Sequence, residues 1–559
     1  MKGGKDKDVE LHLLVFVLSL AAPLMLYFNR HLDNNRLTSW NWVFDFVSLS
    51  RLGLALVIVL IFAACISLAA FYEKNKTFVL FVAAFVLAAS FWSIPEVIVD
   101  AARYFTQAKQ LRVYGVGYFG EQWGREIFAW TDLPLMPFLY GLVFKFWGEQ
   151  RIFIQVLNTF FYAATVVLTY KLGKSLWDED TGFMGGLLLL GFPYLYTQVP
   201  LMLVDVPTMF FFMLAVVAVV NALKNGGRVR ILLAALALFL VFYVKYSTWI
   251  LLTFLPVTYA YFIGINPGPT IRRGFVLALS AFVFTGLLFL LYKDIFLPQI
   301  GFLLEYQKPG LNRWGESYVS TFLFQIHPFI TAAAFFAVMA AVRKVDFRFL
   351  IVGFLVILLL IMQVKRIRYT VPVFPMLALM AAYGLGKLQN KKLTKQLVFS
   401  VVGTSYVVAF WGFLPFLQTL GVGNLQAAGN FVNSVPGTSV EVISIAGADA
   451  VVNPATAVAV LDIYTDKDLF YEHEPVSPEV LERVKTAPLR FTWEFPVPGY
   501  YSSRPAAKDI GALVIISDAR ERAVPPDIEN KISLYPFQKI FDQSSMIFKH
   551  QTYVRVYHK

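Results

Sequence analysis

The stretch IPEVIVDAARYFTQAKQLRVY (residues 94–114) follows directly on the apolar run KTFVLFVAAFVLAASFW (residues 76–92). The first segment begins a region, residues 94–152, that is too polar to lie in lipid and too aromatic for a solvated linker. Aromatic side chains favour the boundary between membrane and water. The sequence therefore predicts a large outer loop of short helices lying along the membrane, carried by a membrane-embedded core.

The composition is that of a membrane protein. Of the 559 residues, 58% are hydrophobic and only 15% are charged. A membrane-spanning helix needs about 20 predominantly apolar residues, and such runs recur up to about residue 420. About thirteen spans are predicted, at residues 11–28, 52–72, 77–95, 153–172, 181–199, 203–222, 230–246, 248–264, 273–293, 318–342, 347–364, 369–387 and 396–420.

The basic residues predict the orientation of these spans. The net charge of +12 is gathered in short clusters beside apolar runs, as expected for cytoplasmic connections rather than for nucleic-acid binding. The segment 11–28 is predicted to be a retained span, because the residues after it are charged and bulky rather than small. With the N-terminus in the cytoplasm, alternate connections carry Lys74, Lys76, Lys171, Lys174, Lys224, Arg228, Arg230, Arg272, Arg273, Arg343, Lys344, Arg348, Lys391, Lys392 and Lys395. We therefore expect a multi-pass protein of the plasma or inner membrane.

Three domains are predicted from these patterns. Residues 1–72 form a two-span N-terminal extension, and residues 73–424 form the transmembrane core. From residue 425 the apolar runs shorten to strand length, in VEVISI, ALVIIS and YVRVYH, separated by turns that contain proline and glycine. Residues 425–559 are therefore predicted to form a small soluble α/β domain, which the odd number of spans places outside the cytoplasm.

Glu96 and Asp100 are the first candidate site residues. They are four residues apart and would share one face of a helix. Two acids at a membrane surface disfavour each other's ionised form, which raises the pKa of at least one and prepares it to accept a proton. The alternative is a solvated helix start, or an ion pair between Asp100 and Arg103.

Asp205 and Lys245 lie at the predicted outer ends of apolar spans. An ionised side chain there costs about 2–3 kcal/mol unless it faces protein or water, so Asp205 is a candidate site residue. The alternative, which is compatible with the first, is an N-cap of the span that follows. Lys245 is a candidate contact for a phosphate, with snorkelling to the lipid headgroups as the alternative.

The segment QVKRIRYTVPVFP (residues 363–375) carries a cluster of cations at another outer connection, where topology would favour few of them. Arg366 and Arg368 flank one residue, and Tyr369 follows. Guanidinium groups bind phosphate oxygens in a bidentate fork. The cluster is therefore a candidate phosphate site, with snorkelling to anionic headgroups as the alternative.

No residue pattern supports a metal or cofactor site. The six histidines are scattered without the spacing of metal ligands. Cys65 is the only cysteine and lies within an apolar run, so thiol chemistry has little support. A divalent metal remains possible without any motif to favour it.

The order of these segments resembles the GT-C superfamily of glycosyltransferases, in its protein O-mannosyltransferase and aminoarabinose-transferase-like branch. The matching elements are DAARY at 100–104, TDLPLMPFLYGLVFKFWGE at 131–149, the span that starts at Arg151, Asp205 with Pro207, and RYTVPVFP at 368–375. The resemblance covers about residues 77 to 400. This chain departs from the pattern where relatives have an acidic residue after Asp100, and where Asp132 and Leu133 replace a basic residue and a proline.

The resemblance implies a GT-C-like membrane fold and an inverting transfer of a hexosyl or pentosyl group from a polyprenyl-phosphate donor to a glycan, lipid or protein acceptor. Asp100 would be the general base, and Asp205 would orient the acceptor or the loop. Lys245, Arg366 and Arg368 would hold the carrier phosphate, and Tyr369, Glu96 and Tyr104 are expected to bind substrate. The alternatives are a secondary transporter, which intramembrane charges would also suit, and a non-catalytic assembly factor that uses its tail domain for protein contacts.

Overall fold

The computed structural model describes residues 2–45, 47–69, 74–307, 315–447, 450, 452–472, 478–484, 492–502, 509–544, 547 and 550–559. Its α-helices are α1 (Lys2–Phe28), α2 (Trp40–Val43), α3 (Leu49–Leu68), α4 (Lys76–Ala89), α5 (Ile98–Gln122), α6 (Leu135–Trp147), α7 (Arg151–Leu176), α8 (Glu179–Leu189), α9 (Pro193–Gln198), α10 (Asp205–Asn225), α11 (Arg228–Phe242), α12 (Ser247–Leu251), α13 (Phe254–Ile265), α14 (Pro267–Leu291), α15 (Lys293–Phe302), α16 (Pro328–Lys344), α17 (Phe349–Ile361), α18 (Ile367–Thr370), α19 (Phe374–Leu385), α20 (Lys391–Val408), α21 (Leu414–Gln418), α22 (Val422–Val432), α23 (Ala455–Asp462), α24 (Pro478–Val484) and α25 (Pro526–Ile532). The strands are β1 (Ser439–Ile445), β2 (Asp468–Tyr471), β3 (Ile510–Ser517), β4 (Phe537–Phe541) and β5 (Tyr553–His558).

The protein is a multi-pass membrane protein. Within lipid, every backbone polar group must find a partner inside its own segment, so apolar runs of this length form helices. Seven helical segments of the described chain are long and apolar enough to cross a bilayer, namely Val9–Phe28, Leu49–Ser67, Arg151–Leu176, Asp205–Asn225, Ser247–Ile265, Pro267–Leu291 and Lys391–Gln418. Shorter apolar helices occupy Lys76–Ala89, Leu135–Trp147 and Phe349–Ile361. The count of thirteen spans, the orientation and the location of the tail domain stay predictions.

Several predicted spans are interrupted in the structure. The run at 181–199 is helical only to Leu189, and a new helix begins at Pro193. A proline has no N–H to donate and is favoured at the first position of a helix, so it restarts the chain in a new direction. Likewise, the run at 369–387 becomes a continuous helix only from Phe374, after the short α18.

Glycines bring the core helices close together. A Cβ atom placed on Gly182 of α8 would lie 2.4 Å from the carbonyl oxygen of Tyr170 in α7. On Gly384 of α19 it would lie 2.4 Å from the carbonyl oxygen of Ala333 in α16. Small residues at helix contacts are typical of membrane bundles, where close backbone packing replaces the hydrophobic effect.

The region 94–152 contains helices α5 and α6. Helix α5 consists of two helical stretches that meet at Gly115, whose non-helical φ of 94° suits a glycine. Its N-terminal half is buried while several side chains after Leu111 are exposed, so the two halves differ in environment. The first stretch packs against α6 and the tail domain, and the arrangement of these helices along the membrane stays a prediction.

The tail domain is a five-stranded sheet with strand order β2-β1-β3-β5-β4. Strand β1 is parallel to β2 and β3, whereas β5 is antiparallel to β3 and β4. The strands predicted from VEVISI, ALVIIS and YVRVYH are confirmed as β1, β3 and β5. All eight residues of β3 are buried, as expected for a central strand covered on both faces.

Buried polar contacts fix the tail domain to the outer loop. The Nζ atom of Lys109 in α5 lies 2.7 Å from a carboxylate oxygen of Asp462 and 2.8 Å from one of Glu149. The Tyr501 hydroxyl donates to the same Asp462 oxygen over 2.6 Å. These groups are almost fully buried, and paired buried charges fix one geometry more sharply than apolar contacts do. The tail is therefore docked on the helix that carries Asp100.

Candidate functional site

Asp205 is the buried anchor of the candidate site. It is the first residue of α10, after the N-cap position at Val204, and its side-chain oxygens bond to two cations. One carboxylate oxygen accepts from the Nζ of Lys245 over 2.6 Å, and the other accepts from the Nε of Arg368 over 2.8 Å. Because a buried carboxylate is costly without cations, Asp205 requires both partners. The N-cap alternative does not describe this side chain, and Lys245 is held in an ion pair rather than extended to headgroups.

Arg368 joins two carboxylates that are far apart in sequence. Its Nη1 donates to Asp100 over 2.5 Å, while its Nε donates to Asp205. Arg368 lies in the short helix α18, which ends at Thr370, and α19 begins only at Phe374. The guanidinium fork suits this bridging role, since its donors leave in fixed, diverging directions.

Asp100 lies in the first turn of α5, with its side chain one-fifth exposed. Burial alone would raise the pKa of this carboxyl, but Arg368 and then Arg103 hold it well below its usual value. The expectation that two neighbouring acids would raise one pKa is therefore wrong for Asp100. The reason is that each acid has its own cation, and the Arg368 contact outweighs the desolvation.

Glu96 is placed differently from the prediction. Helix α5 begins at Ile98, so Glu96 precedes it and shares no helical face with Asp100. Its buried carboxylate accepts from Arg151 Nε over 2.7 Å and from the Met202 backbone N–H over 2.8 Å. It also borders the cavity described below. These contacts tie the start of the outer loop to two core segments, a positioning role that the sequence did not reveal.

Arg366 and Tyr369 form a neighbouring cluster with Glu316. Arg366 Nη1 donates to the Tyr369 hydroxyl over 3.3 Å, and Nε lies 3.8 Å from a Glu316 oxygen. The other Glu316 oxygen accepts from the Ile367 backbone N–H over 3.2 Å. The carboxylate thus steadies the turn on which both predicted phosphate-binding arginines are carried.

Tyr104 packs beneath this site. It is buried, and the Arg103 guanidinium lies 5.3 Å from its ring centroid. Arg103 Nε is 2.6 Å from Asp132, a shorter approach than its 3.6 Å to Asp100. Asp132 therefore neutralises Arg103, and Arg368 is the main cation beside Asp100. Asp132 is one of the positions at which this chain departs from the GT-C pattern.

A cavity of about 360 Å³ opens beside these charges. Asp100, Arg366 and Arg368 border it, while Leu201 and Leu417 are among its apolar lining residues. Its other polar lining residues include Asn35, Arg36, Glu96, Tyr194, Thr197, Gln198, Glu316, His550 and Gln551. The space is large enough for a sugar and a phosphate rather than for a bound ion alone.

The sequence analysis missed the lining residues from outside the predicted core. Asn35 and Arg36 come from the N-terminal extension, and His550 comes from the tail domain. No local pattern marks them, because their position depends on how three regions of the chain pack together. Within the described residues, no three histidine, cysteine, aspartate or glutamate side chains converge as a metal site requires.

No protein-family model and no curated protein sequence matches the chain. Solved structures do. ArnT from Cupriavidus metallidurans bound to undecaprenyl phosphate superimposes with a TM-score of 0.54 over 87% of this chain and 98% of that one, at 13% identity. The chain has the GT-C fold.

The apo state of ArnT from the same organism gives a TM-score of 0.51 over 86% of this chain and 97% of that one, again at 13% identity. The GT-C resemblance inferred from the order of motifs is thereby confirmed at the level of fold. The match covers most of both chains, so the likeness is not confined to a few helices.

Proposed function

We propose that this protein is an integral membrane glycosyltransferase that moves a sugar from a polyprenyl-phosphate donor to an acceptor at the outer membrane face. The observation that carries the proposal is the bridge of Arg368 between Asp100 and Asp205 at the edge of the cavity. One ion pair thus joins Asp100, the candidate base, to Arg368, a candidate ligand of the phosphate. The ArnT structure with bound undecaprenyl phosphate, which shares the fold, supports this class of donor.

The donor phosphate binds at the cations. Arg366 and Arg368 border the cavity. Lys245 does not border it but pairs with Asp205, the same carboxylate that Arg368 contacts. These groups bind the phosphate and stabilise the negative charge that grows on it as the sugar leaves. The polyprenyl tail lies in a groove between spans and keeps the reactive end of the donor at the membrane surface.

Asp100 acts as the general base. In the transfer step the acceptor oxygen or nitrogen forms a bond to the anomeric carbon while the bond from that carbon to the phosphate oxygen breaks. The acceptor proton passes to Asp100 and the electron pair of the broken bond leaves on the phosphate, which inverts the anomeric centre. An ion-paired carboxylate is a weak base, but a phosphate that engages Arg368 adds a like charge beside Asp100 and raises its proton affinity. Donor binding therefore prepares the base.

The acceptor enters between the membrane core and the tail domain. His550 and Val452 of the tail border the same cavity as Asp100. This arrangement lets the tail domain cap the site or select the acceptor, which is a glycan, a lipid or a protein. In the proposed topology the N-terminus is cytoplasmic and the tail domain lies outside the plasma or inner membrane.

Turnover of labelled donor tests this function. Detergent-purified protein is incubated with labelled polyprenyl-phosphate hexoses and pentoses and an extract of membrane acceptors, and released polyprenyl phosphate is measured. We expect Asp100→Asn to abolish release, while Asp45→Asn, an exposed acid of the N-terminal loop paired with Arg30, retains it. Release that persists in Asp100→Asn removes the assigned base. Donor that crosses vesicles unchanged indicates a transporter, and wild-type protein without turnover or donor binding indicates an assembly factor.

A further inference from the structure

The loop between α1 and α3 is fixed by a buried carboxylate. Asp33 is 3% exposed and accepts hydrogen bonds from the backbone N–H groups of Asn35 and Trp40, over 3.0 and 2.8 Å. It also accepts from Ser320 Oγ over 2.5 Å and Gln325 Nε2 over 2.9 Å. A carboxylate with four donors holds its surroundings in one arrangement. The loop is therefore built onto the segment 315–325 of the core.

Further contacts hold the same loop at both ends. Asn34 Nδ2 donates to the Gly315 carbonyl oxygen over 2.8 Å, and the Asn34 side-chain oxygen accepts from the Ser317 N–H over 2.9 Å. Trp40 Nε1 donates to the Phe324 carbonyl oxygen over 3.1 Å. The loop of the N-terminal extension is thus hydrogen-bonded directly to the core.

Arg36 belongs to this loop and borders the cavity. The Arg36 backbone N–H bonds to Glu316, the acid that faces Arg366. Its side chain is exposed and borders the same 360 Å³ cavity as Arg366 and Arg368. A guanidinium at this place can bind phosphate oxygens in a bidentate fork.

We propose that the N-terminal extension completes the donor site by supplying Arg36 as a guanidinium ligand of the carrier phosphate. This inference rests on the proposed function and adds to it a site residue from outside the core. Arg366 and Arg368 approach the phosphate from the core side and Arg36 approaches it from the extension. The buried Asp33 is the positioning residue that holds Arg36 there.

Binding of a sugar-free polyprenyl phosphate to the full-length protein in nanodiscs tests the inference. Arg36→Ala is expected to weaken binding about tenfold or more, as for the loss of a charge-assisted hydrogen bond, and Arg36→Lys to weaken it less. Arg51→Ala is the matched control, because Arg51 is exposed at the start of α3, the helix that follows the same loop, and does not border the cavity. Its affinity should equal that of the wild type.

The outcomes separate the two levels of the proposal. Loss of binding in Arg368→Ala with wild-type binding in Arg36→Ala overturns the role of Arg36 and leaves the glycosyltransferase standing. A wild-type protein that does not bind the polyprenyl phosphate overturns the donor class and the inference together. Asp33→Asn provides a second test, and its thermal unfolding midpoint shows whether the protein is folded. We expect the folded variant to bind polyprenyl phosphate more weakly than the wild type. We also expect Arg36→Ala to lower the affinity less in the Asp33→Asn background than in the wild type. Full additivity of the two substitutions contradicts positioning by Asp33.

Discussion

Arg368 and Asp100 are separated by 268 residues in the chain, yet the Nη1 of the arginine lies 2.5 Å from the Oδ2 of the aspartate. The same guanidinium reaches Asp205, which is itself paired with Lys245. Four charged groups from four segments therefore form one continuous cluster. Such a cluster transmits a change at any one member to the others, because buried charges interact through a low dielectric.

Arg368→Ala is expected to affect both stability and donor binding. The substitution leaves Asp205 with one cation, and breaking a buried ion pair costs about 3–5 kcal/mol of unfolding free energy. Adding Asp205→Asn removes the uncompensated charge and should recover part of the thermal unfolding midpoint. Affinity for polyprenyl phosphate should not recover with it. Recovery of affinity in the double variant contradicts phosphate binding by Arg368.

The pH dependence of turnover should report the Arg368 contact. The pKa of Asp100 lies below its usual 3.8, so the ion pair contributes fully above that usual value and is lost only as the pH falls through the lowered pKa. Without Arg368 the strongest cause that lowers the pKa of Asp100 is gone, so we expect this pKa to rise. We expect kcat/KM for the donor, which reports the donor-free enzyme, to show no acid limb from Asp100 between about pH 5 and pH 7 in wild-type protein, and to show one in Arg368→Gln. Identical profiles for the two proteins count against this account.

Lys109→Met should detach the tail domain from the outer loop. It leaves Asp462 and Glu149 buried without the shared cation, at a cost of about 3–5 kcal/mol. Thermal unfolding and limited proteolysis of the tail measure the effect. Lys174→Met is the control, because the Lys174–Glu179 pair is exposed and its loss should leave both measurements unchanged. A stable, protease-resistant Lys109→Met protein would show that apolar contacts alone dock the tail.

His550→Ala should reduce transfer without weakening donor binding. His550 borders the cavity from the tail domain, and burial lowers the pKa of its imidazole, so the ring is neutral and can donate or accept a hydrogen bond. Its Nε2 is buried without a hydrogen-bond partner among the described residues, which suits a contact with the acceptor. The measurements are turnover against acceptor concentration and separate polyprenyl-phosphate affinity. His558→Ala is the control, because His558 is the last residue of β5 and does not border the cavity. Equal losses of donor affinity and turnover would place His550 on the donor side.

Candidate site residues could be named from the sequence, whereas their partners could not. Four candidates could be identified because a charged side chain is costly at the edge of an apolar span: Asp205, Lys245, Arg366 and Arg368. Glu96 could not be assigned in the same way, since spacing alone put it on a helix that in fact starts two residues later. Partner choice depends on contacts between segments, and no short-range pattern encodes those.

What the sequence by itself determined was the membrane class, the strand-rich tail and the order of motifs typical of a GT-C protein. These follow from local hydropathy and residue type, which act within a few turns of chain. The tertiary structure alone decided that Arg368 meets Asp100, that the tail docks through Lys109, and that Arg36 of the extension borders the same cavity. Those contacts join residues hundreds of positions apart, and their geometry is set by how the helices pack rather than by any segment's own preference.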